Sequence, residues 1–326
     1  MRAGRYSSPD CDTDPAARAE RQRTMAGAIS FRGINMKELK KHLSLHEQVE
    51  KLTQRGLLIS EREKVESALF NINYYRLSGY LHDFKQPKSD SYIDNLSWDI
   101  LKSIYDFDRK FTRILMYALE DVEETLKTRL SYTITSQFPG DPLIYLKPTI
   151  YKAYEPYIRF LEHFYKSVEN NKALPFVKHH IDNYDGFLPM WVAVDLFTMG
   201  NLHAVYDNLG TKYKKDIARS YNTGPVQLAS WIENLTFTRN HLAHYMRIYN
   251  FNYGRTPAHC KHHPLACTPT GMVFDQICVM SFMYSDAAEW NGYVLLELER
   301  ILDAYSDCVS LSCIGFPESW KEILSK

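Results

Sequence analysis

From Ser97 to Gly140 the chain reads SWDILKSIYDFDRKFTRILMYALEDVEETLKTRLSYTITSQFPG. No Gly or Pro falls between Pro87 and Pro139. Ile104, Phe107, Phe111, Ile114, Ala118, Val122, Leu126 and Leu130 recur at steps of three and four, the period of one helix face. A single amphipathic helix is predicted from near Ser97 to just before Pro139-Gly140. At 1.5 Å per residue it is roughly 60 Å long, so it must be the spine of the molecule.

Other helical patterns flank it. Ser44-Leu-His-Glu47 and Ser60-Glu-Arg-Glu63 read as capping boxes. Gly56 sits where the first of these helices must stop, and Gly79 where the second should break. Further helices are predicted at about 152–170, 189–208, 212–222, 225–250 and 272–305, with a short one after Pro317. No segment alternates like a strand. The fold class is all-α, a helical bundle. Residues 1–35 read as a mobile tail or a start-site artefact, 36–326 as the helical domain, and 251–271 as an insertion loop.

Composition narrows the function. The 326 residues carry 39 Lys+Arg against 39 Asp+Glu, which excludes a generally basic surface. Any nucleic-acid contact must be local. From Thr211 to His263 the balance tips: Lys212, Lys214, Lys215, Arg219, Arg239, Arg247, Arg255 and Lys261 face only Asp216 and Glu233. This stretch is read as a phosphate-binding surface, with a solvated charged face as the plainer alternative. No apolar run is long enough for a bilayer span. Without a secretory leader pattern, a cytoplasmic location is expected, with scattered, reduced cysteines.

The helix predicted to start at Pro225 carries the chemistry. Plotted at 100° per residue, Trp231, Leu235, Leu242, Met246 and Tyr249 fall on a core stripe. Glu233, Thr236, Asn240, His244 and Arg247 fall opposite, and Arg239 lies between. His both gives and takes protons near neutrality. Arg clamps a phosphate and stabilises the charge that builds on it. Asn orients either without adding charge. Arg239, Asn240 and His244 therefore suit cleavage of RNA by its own 2′-hydroxyl, with no metal or cofactor required. A hydrogen-bonded His on a polar helix face is the plainer reading of so short a motif.

Trp231-Ile-Glu-Asn-Leu-Thr-Phe-Thr-Arg-Asn-His-Leu-Ala-His-Tyr-Met-Arg-Ile-Tyr-Asn250 resembles the signature of the Abi family of abortive-infection proteins, AbiD/AbiF type. Glu47–Ile59, Asn73–Tyr80, Tyr105–Arg109, Ala118–Leu130, Pro189–Asp195, Met199–Leu202 and Gly315–Trp320 agree in order. The resemblance implies the HEPN superfamily, whose ribonuclease motif is Arg-x4–6-His; since one motif copy supplies a single His for a two-step proton shuffle, a homodimer with two motifs facing across a two-fold axis is expected. The resemblance implies Arg239, Asn240 and His244 as catalytic residues, with Arg247 and Asn250 as structural or RNA-contacting neighbours. In that fold a polar residue of another helix often packs near the motif. Glu120 or Glu123 would then orient His244, and Arg129 would add a phosphate contact, unless these are simply a charged helix face. The resemblance also implies an RNA substrate and control by a small noncoding RNA or a protein antitoxin. Three positions depart from the family pattern: Asp195 for Glu, Tyr245 for a second His, and Tyr249 for Trp. A non-catalytic module that binds RNA or protein is the alternative. His259, Cys260, His262, His263 and Cys267 are zinc-type ligands without standard spacing, and are read as part of the flexible insertion loop.

Overall fold

Ser97 opens the long helix as its N-cap, its Oγ accepting the Ile100 amide at 3.2 Å. In this computed structural model, which describes residues 41–259 and 269–326, that helix is Trp98–Thr135. The predicted apolar face is buried along its whole length, from Leu101 to Ile134. The chain divides into two units at Ser44/Leu45. The first lies almost wholly outside the described residues, as does the predicted tail. The architecture below is that of the second, Leu45–Lys326.

The order is α1 (Leu45–Gln54), α2 (Arg62–Asn71), α3 (Tyr74–Leu81), α4 (Trp98–Thr135), α5 (Tyr154–Asn170), α6 (Pro175–Asn183), α7 (Met190–Ala193), α8 (Met199–Asn208), α9 (Thr211–Arg219) and α10 (Pro225–Ala243). Then come α11 (Val273–Met283), α12 (Ala287–Glu289), a π turn (Trp290–Leu295), α13 (Leu296–Ala304) and α14 (Trp320–Leu324). Among the described residues there is no strand, only three isolated bridges, and no helix is long and apolar enough to cross a membrane. The all-α class holds.

α4 packs against α3, α7, α8, α9, α10, α11 and α13. Its apolar face is the axis of one continuous core that includes Phe107, Phe111, Trp231, Phe274 and Trp290. A helix touched on so many sides is held by burial rather than by its own propensity.

Several boundaries differ from the sequence reading, each for a local reason. α2 starts at Arg62, and its cap, Glu61, makes no capping bond. With the start shifted one residue on, Ser60 is not the cap and the Ser60–Glu63 box does not form, while Glu61 pairs with Lys64 at 2.6 Å. Gly79 lies inside α3, whose cap is Asn73 accepting the Tyr75 amide at 2.8 Å. The segment 189–208 is broken at Phe197, because Thr198 and Asn201 form a capping box that starts α8 afresh. The segment 272–305 breaks before Asp286, which caps α12. α6 was not expected. Of the insertion loop, Phe251–Ala258 is fastened to α10: Trp231 Nε1 donates to the Ala258 carbonyl at 2.9 Å, and Ser230 Oγ accepts the Ala258 amide at 3.0 Å.

Candidate functional site

α10 begins with Pro225 at its first turn, where the missing amide costs nothing. It packs most extensively on α8 and also contacts α4, α9 and α11. Trp231, Leu235 and Leu242 are buried, as the helical plot requires. The helix then stops seven residues short of the expected end. Its C-cap is His244 (φ −87, ψ 10). Tyr245 follows in the left-handed region at φ 55. The Tyr245 amide bonds the Leu242 carbonyl at 2.9 Å, and the Met246 amide bonds the His241 carbonyl at 3.0 Å. This is a Schellman end with Tyr in the place usually held by Gly. Arg76 of α3 donates to the Tyr245 carbonyl and fastens the turn.

The early stop re-sorts the residues beyond it. Met246, expected in the core, is 52% exposed. Arg247 turns away from Asn240 and His244. Its guanidinium pairs with Asp83 and donates to the Gly79 carbonyl at 2.8 Å. Asn250 has φ 50, and its amide bonds the Cys313 carbonyl at 2.8 Å. The contacts of both are structural.

The two histidines of the last turn part company. His241 is buried, with Nε2 2.7 Å from the Arg247 carbonyl. Phe237, Phe251 and Tyr253 pack round its ring. Burial lowers its pKa, so it is a neutral imidazole that donates to a carbonyl. His244 is exposed, and its side chain has no partner among the described residues. Of the two, only His244 meets solvent freely.

Arg239 is half exposed. Its Nη1 lies 3.4 Å from Asn240 Oδ1, and its Nε 3.9 Å from Glu123 Oε2 on α4. Glu123 also holds Lys127 at 3.1 Å. Arg239 opens on a groove of about 500 Å³ whose charged lining is Glu120, Glu123, Glu124, Lys127 and Asp195. Glu120 and Glu123 are thus placed beside Arg239, with no contact to His244. A second groove of about 490 Å³ continues past Met116 and Glu120 to Arg113, Ala243 and Tyr245.

The residue that holds the turn in place was missed by the sequence reading. Asp108 of α4 is 3% exposed. Its carboxylate accepts the Ile248 amide at 2.8 Å, the Tyr249 amide at 2.9 Å and the Tyr80 hydroxyl at 2.7 Å. Burial pushes its pKa up to about 6 despite those donors and the nearby Arg247. The signal was present: Asp108 falls among the apolar positions Ile104, Phe107 and Phe111, and an acid on a core stripe must find donors.

A family model described as Abi-like protein matches residues 67–250, more than half of the chain. The chain belongs to the Abi-like family. The matched span contains all of α4 and α10, hence Asp108, Glu123, Arg239 and His244. No curated protein and no solved structure gives a significant match.

The remaining candidates of this Abi-like chain lie elsewhere. Arg129 donates to the Ser220 carbonyl at 2.7 Å and lies 4.3 Å from the Tyr221 ring centre, binding the end of α9 to the spine. Lys214 corrects the expected phosphate patch. It is buried, and its ammonium bonds both the carboxylate and the carbonyl of Asp207 at 3.1 Å, so it is not available to a phosphate. Lys212 and Lys215 are exposed. Arg255 lies 3.4 Å from Glu233 and 4.6 Å from the Phe237 ring centre. Lys261 and the zinc-type ligands from Cys260 to Cys267 lie outside the described residues. Among the described residues no cluster of His, Cys, Asp and Glu is arranged to hold a metal.

Proposed function

We propose that this Abi-like protein is a metal-independent endoribonuclease of abortive infection, with Arg239, Asn240 and His244 as its reacting group. One observation carries the reading: the unpartnered, exposed imidazole of His244 lies at the end of the helix that carries the half-exposed Arg239 five residues earlier, while His241 is locked in an aromatic cage. The family's resemblance to HEPN proteins supports it.

In the proposed reaction the 2′-oxygen attacks the phosphorus, the 5′-oxygen leaves, and a 2′,3′-cyclic phosphate remains. His244 takes the 2′-hydroxyl proton or protonates the departing 5′-oxygen. Arg239 stabilises the negative charge on the pentacoordinate phosphorus. Glu123 lies 3.9 Å from its Nε and Asn240 3.4 Å from its Nη1, which leaves Nη2 for the phosphate oxygens. One chain offers a single exposed motif histidine, whereas the reaction needs both a base and an acid. A second copy facing the first across a two-fold axis supplies the other, so the working unit is a homodimer. An unrestrained ribonuclease would kill its host, so a small noncoding RNA or a protein antitoxin restrains it.

The acids Glu120, Glu123, Glu124 and Asp195 beside Arg239 favour a second reading, a module that binds without cutting, because they repel phosphate. Purified protein decides between the two. Cleavage in EDTA, 2′,3′-cyclic phosphate ends and loss of cutting in Arg239→Ala are expected. Strict dependence on a divalent metal with 5′-phosphate ends contradicts the mechanism. No cleavage at all supports the binding module.

A further inference from the structure

The solvent face of α4 changes sign along its length. Glu120, Glu123 and Glu124 stand beside Arg239. Two turns earlier stand Arg109, Lys110 and Arg113, all exposed. Arg109 and Arg113 are one turn apart, roughly 6 Å along the axis. They line a groove of about 410 Å³ with Asn71, Tyr105 and Tyr305. Arg113 also lines the groove that runs to Ala243 and Tyr245, so the two are continuous past the motif helix. Arg76 joins the cations from α3, across a narrow cleft.

These four cations have no carboxylate in ion-pair reach among the described residues. Asp106, the acid at the groove, is held by Lys102 at 2.6 Å. Asp108 lies beneath, buried and satisfied by three donors. In a chain of zero formal net charge, three such cations in one groove and a fourth, Arg76, in the cleft beside it form a local site for a polyanion. Arg76 gives one donor to the Tyr245 carbonyl, leaving most of its fork free.

The groove and the cleft beside it present aromatic rings. Tyr245 is 58% exposed, and Arg109 sits 5.5 Å from its ring centre. Lys110 sits 4.9 Å from the ring centre of Tyr305. Interleaved cations and open rings suit a single strand, whose unpaired bases stack on aromatics while its backbone follows the charge. A duplex keeps its bases inside and offers Tyr245 nothing to stack. An acidic protein segment would satisfy the cations but not the open ring.

We infer that this groove is the path of single-stranded RNA, with phosphates on Arg76, Arg109, Lys110 and Arg113 and one base stacked on Tyr245. Tyr245 follows His244 directly in the chain, which ties the groove to the motif. The acids from Glu120 onward end the cationic run where α4 meets the motif helix. That the polyanion is RNA rests on the ribonuclease reading; the groove itself does not.

The test is fluorescence anisotropy with a labelled oligouridylate, using full-length His244→Ala protein so that nothing is cut. Arg109→Glu with Arg113→Glu is expected to weaken binding by about 30-fold or more at 0.1 M salt. The slope of log K against log salt should fall by about 1.4, since each single-strand phosphate contact contributes about 0.7. Tyr245→Ala should lose about tenfold with the slope unchanged, as a stacking contact does. Arg109→Gln with Arg113→Gln, checked for an unaltered melting temperature, must show the same slope change. Unaltered affinity and slope in both arginine pairs would overturn the groove and leave an acidic protein partner as its occupant. A hairpin duplex that binds as tightly as the single strand would overturn the single-strand assignment. If wild-type protein cuts no RNA while the arginine pairs still lose binding, the groove stands and the ribonuclease reading falls.

Discussion

α1 and α10 end with the same hydrogen-bond pattern and different residues. At the end of α1 the Gly56 amide bonds the Thr53 carbonyl at 2.9 Å, and the Leu57 amide bonds the Leu52 carbonyl at 3.1 Å. Gly56 takes the left-handed position at φ 96 without cost. At the end of α10 the same two bonds form round Tyr245, where a side chain in that region costs roughly 1–2 kcal/mol. The first helix is stopped by its own glycine, with the Tyr92 amide on the Arg55 carbonyl at 2.7 Å as a further brace. The second is stopped from outside, by Arg76 on the Tyr245 carbonyl and by Asp108 on the amides of Ile248 and Tyr249. Strain stored beside a motif and held by tertiary contacts is the pattern of functional sites. Its consequence here is positional: His244 becomes a helix terminus instead of a point along a helix face.

The largest effect should come from removing the outside stop. Asp108→Ala leaves two amides and the Tyr80 hydroxyl without their acceptor. A loss of about 3–5 kcal/mol in urea unfolding is expected. In a milder variant, amide exchange should quicken across 245–250 and stay slow at the end of α1. Equal quickening at both ends would erase the distinction.

Acid sharpens the same contrast. The folded pKa of Asp108 is about 6, above its unfolded value of about 3.9. The fold therefore binds this proton more tightly than the unfolded chain. The stabilisation is fully present below about pH 4 and is lost as pH rises through 6. The stability gap between wild type and Asp108→Asn should widen by about 2–3 kcal/mol as pH falls from 7 to 4. A gap that narrows on acidification would contradict the assignment.

The smallest effects are local. Gly56→Ala should cost about 1 kcal/mol, because Ala resists the left-handed region. Tyr245→Gly should change stability by less than about 0.5 kcal/mol. Relief of strain is offset by the greater freedom of unfolded Gly and by loss of the Arg109 contact. Thermal unfolding of the two variants side by side checks this, and a large gain in Tyr245→Gly would show that the turn is not held from outside.

What could be read from the sequence follows the same division. α4 was legible because its stop residues are local and its apolar face is regular from Leu101 to Ile134. α6 was not: it is nine residues long, and only Val177, with Phe176 beside it, turns to the core, too short an apolar face to declare a period. The break before α8 was hidden because Asn201 stands where a capping box more often has Glu or Gln. Near the site, Arg239 and His244 were legible as residue types at a spacing. The inward turn of Lys214 was not, since Asp207 lies on another helix. Nor was the Arg239–Glu123 contact, which exists only once α4 and α10 pack. Asp108 was available to a stricter reading of the core stripe.

In the proposed reaction His244, the exposed histidine at the end of α10, moves the proton. The most direct test is the cleavage rate of His244→Ala in EDTA beside wild type and a Tm-matched His241 variant. His244→Ala should lose about 10²–10⁴-fold with an unchanged melting temperature, while the His241 variant retains its cut. Cleavage that survives in His244→Ala, or that is lost only with His241, would contradict it.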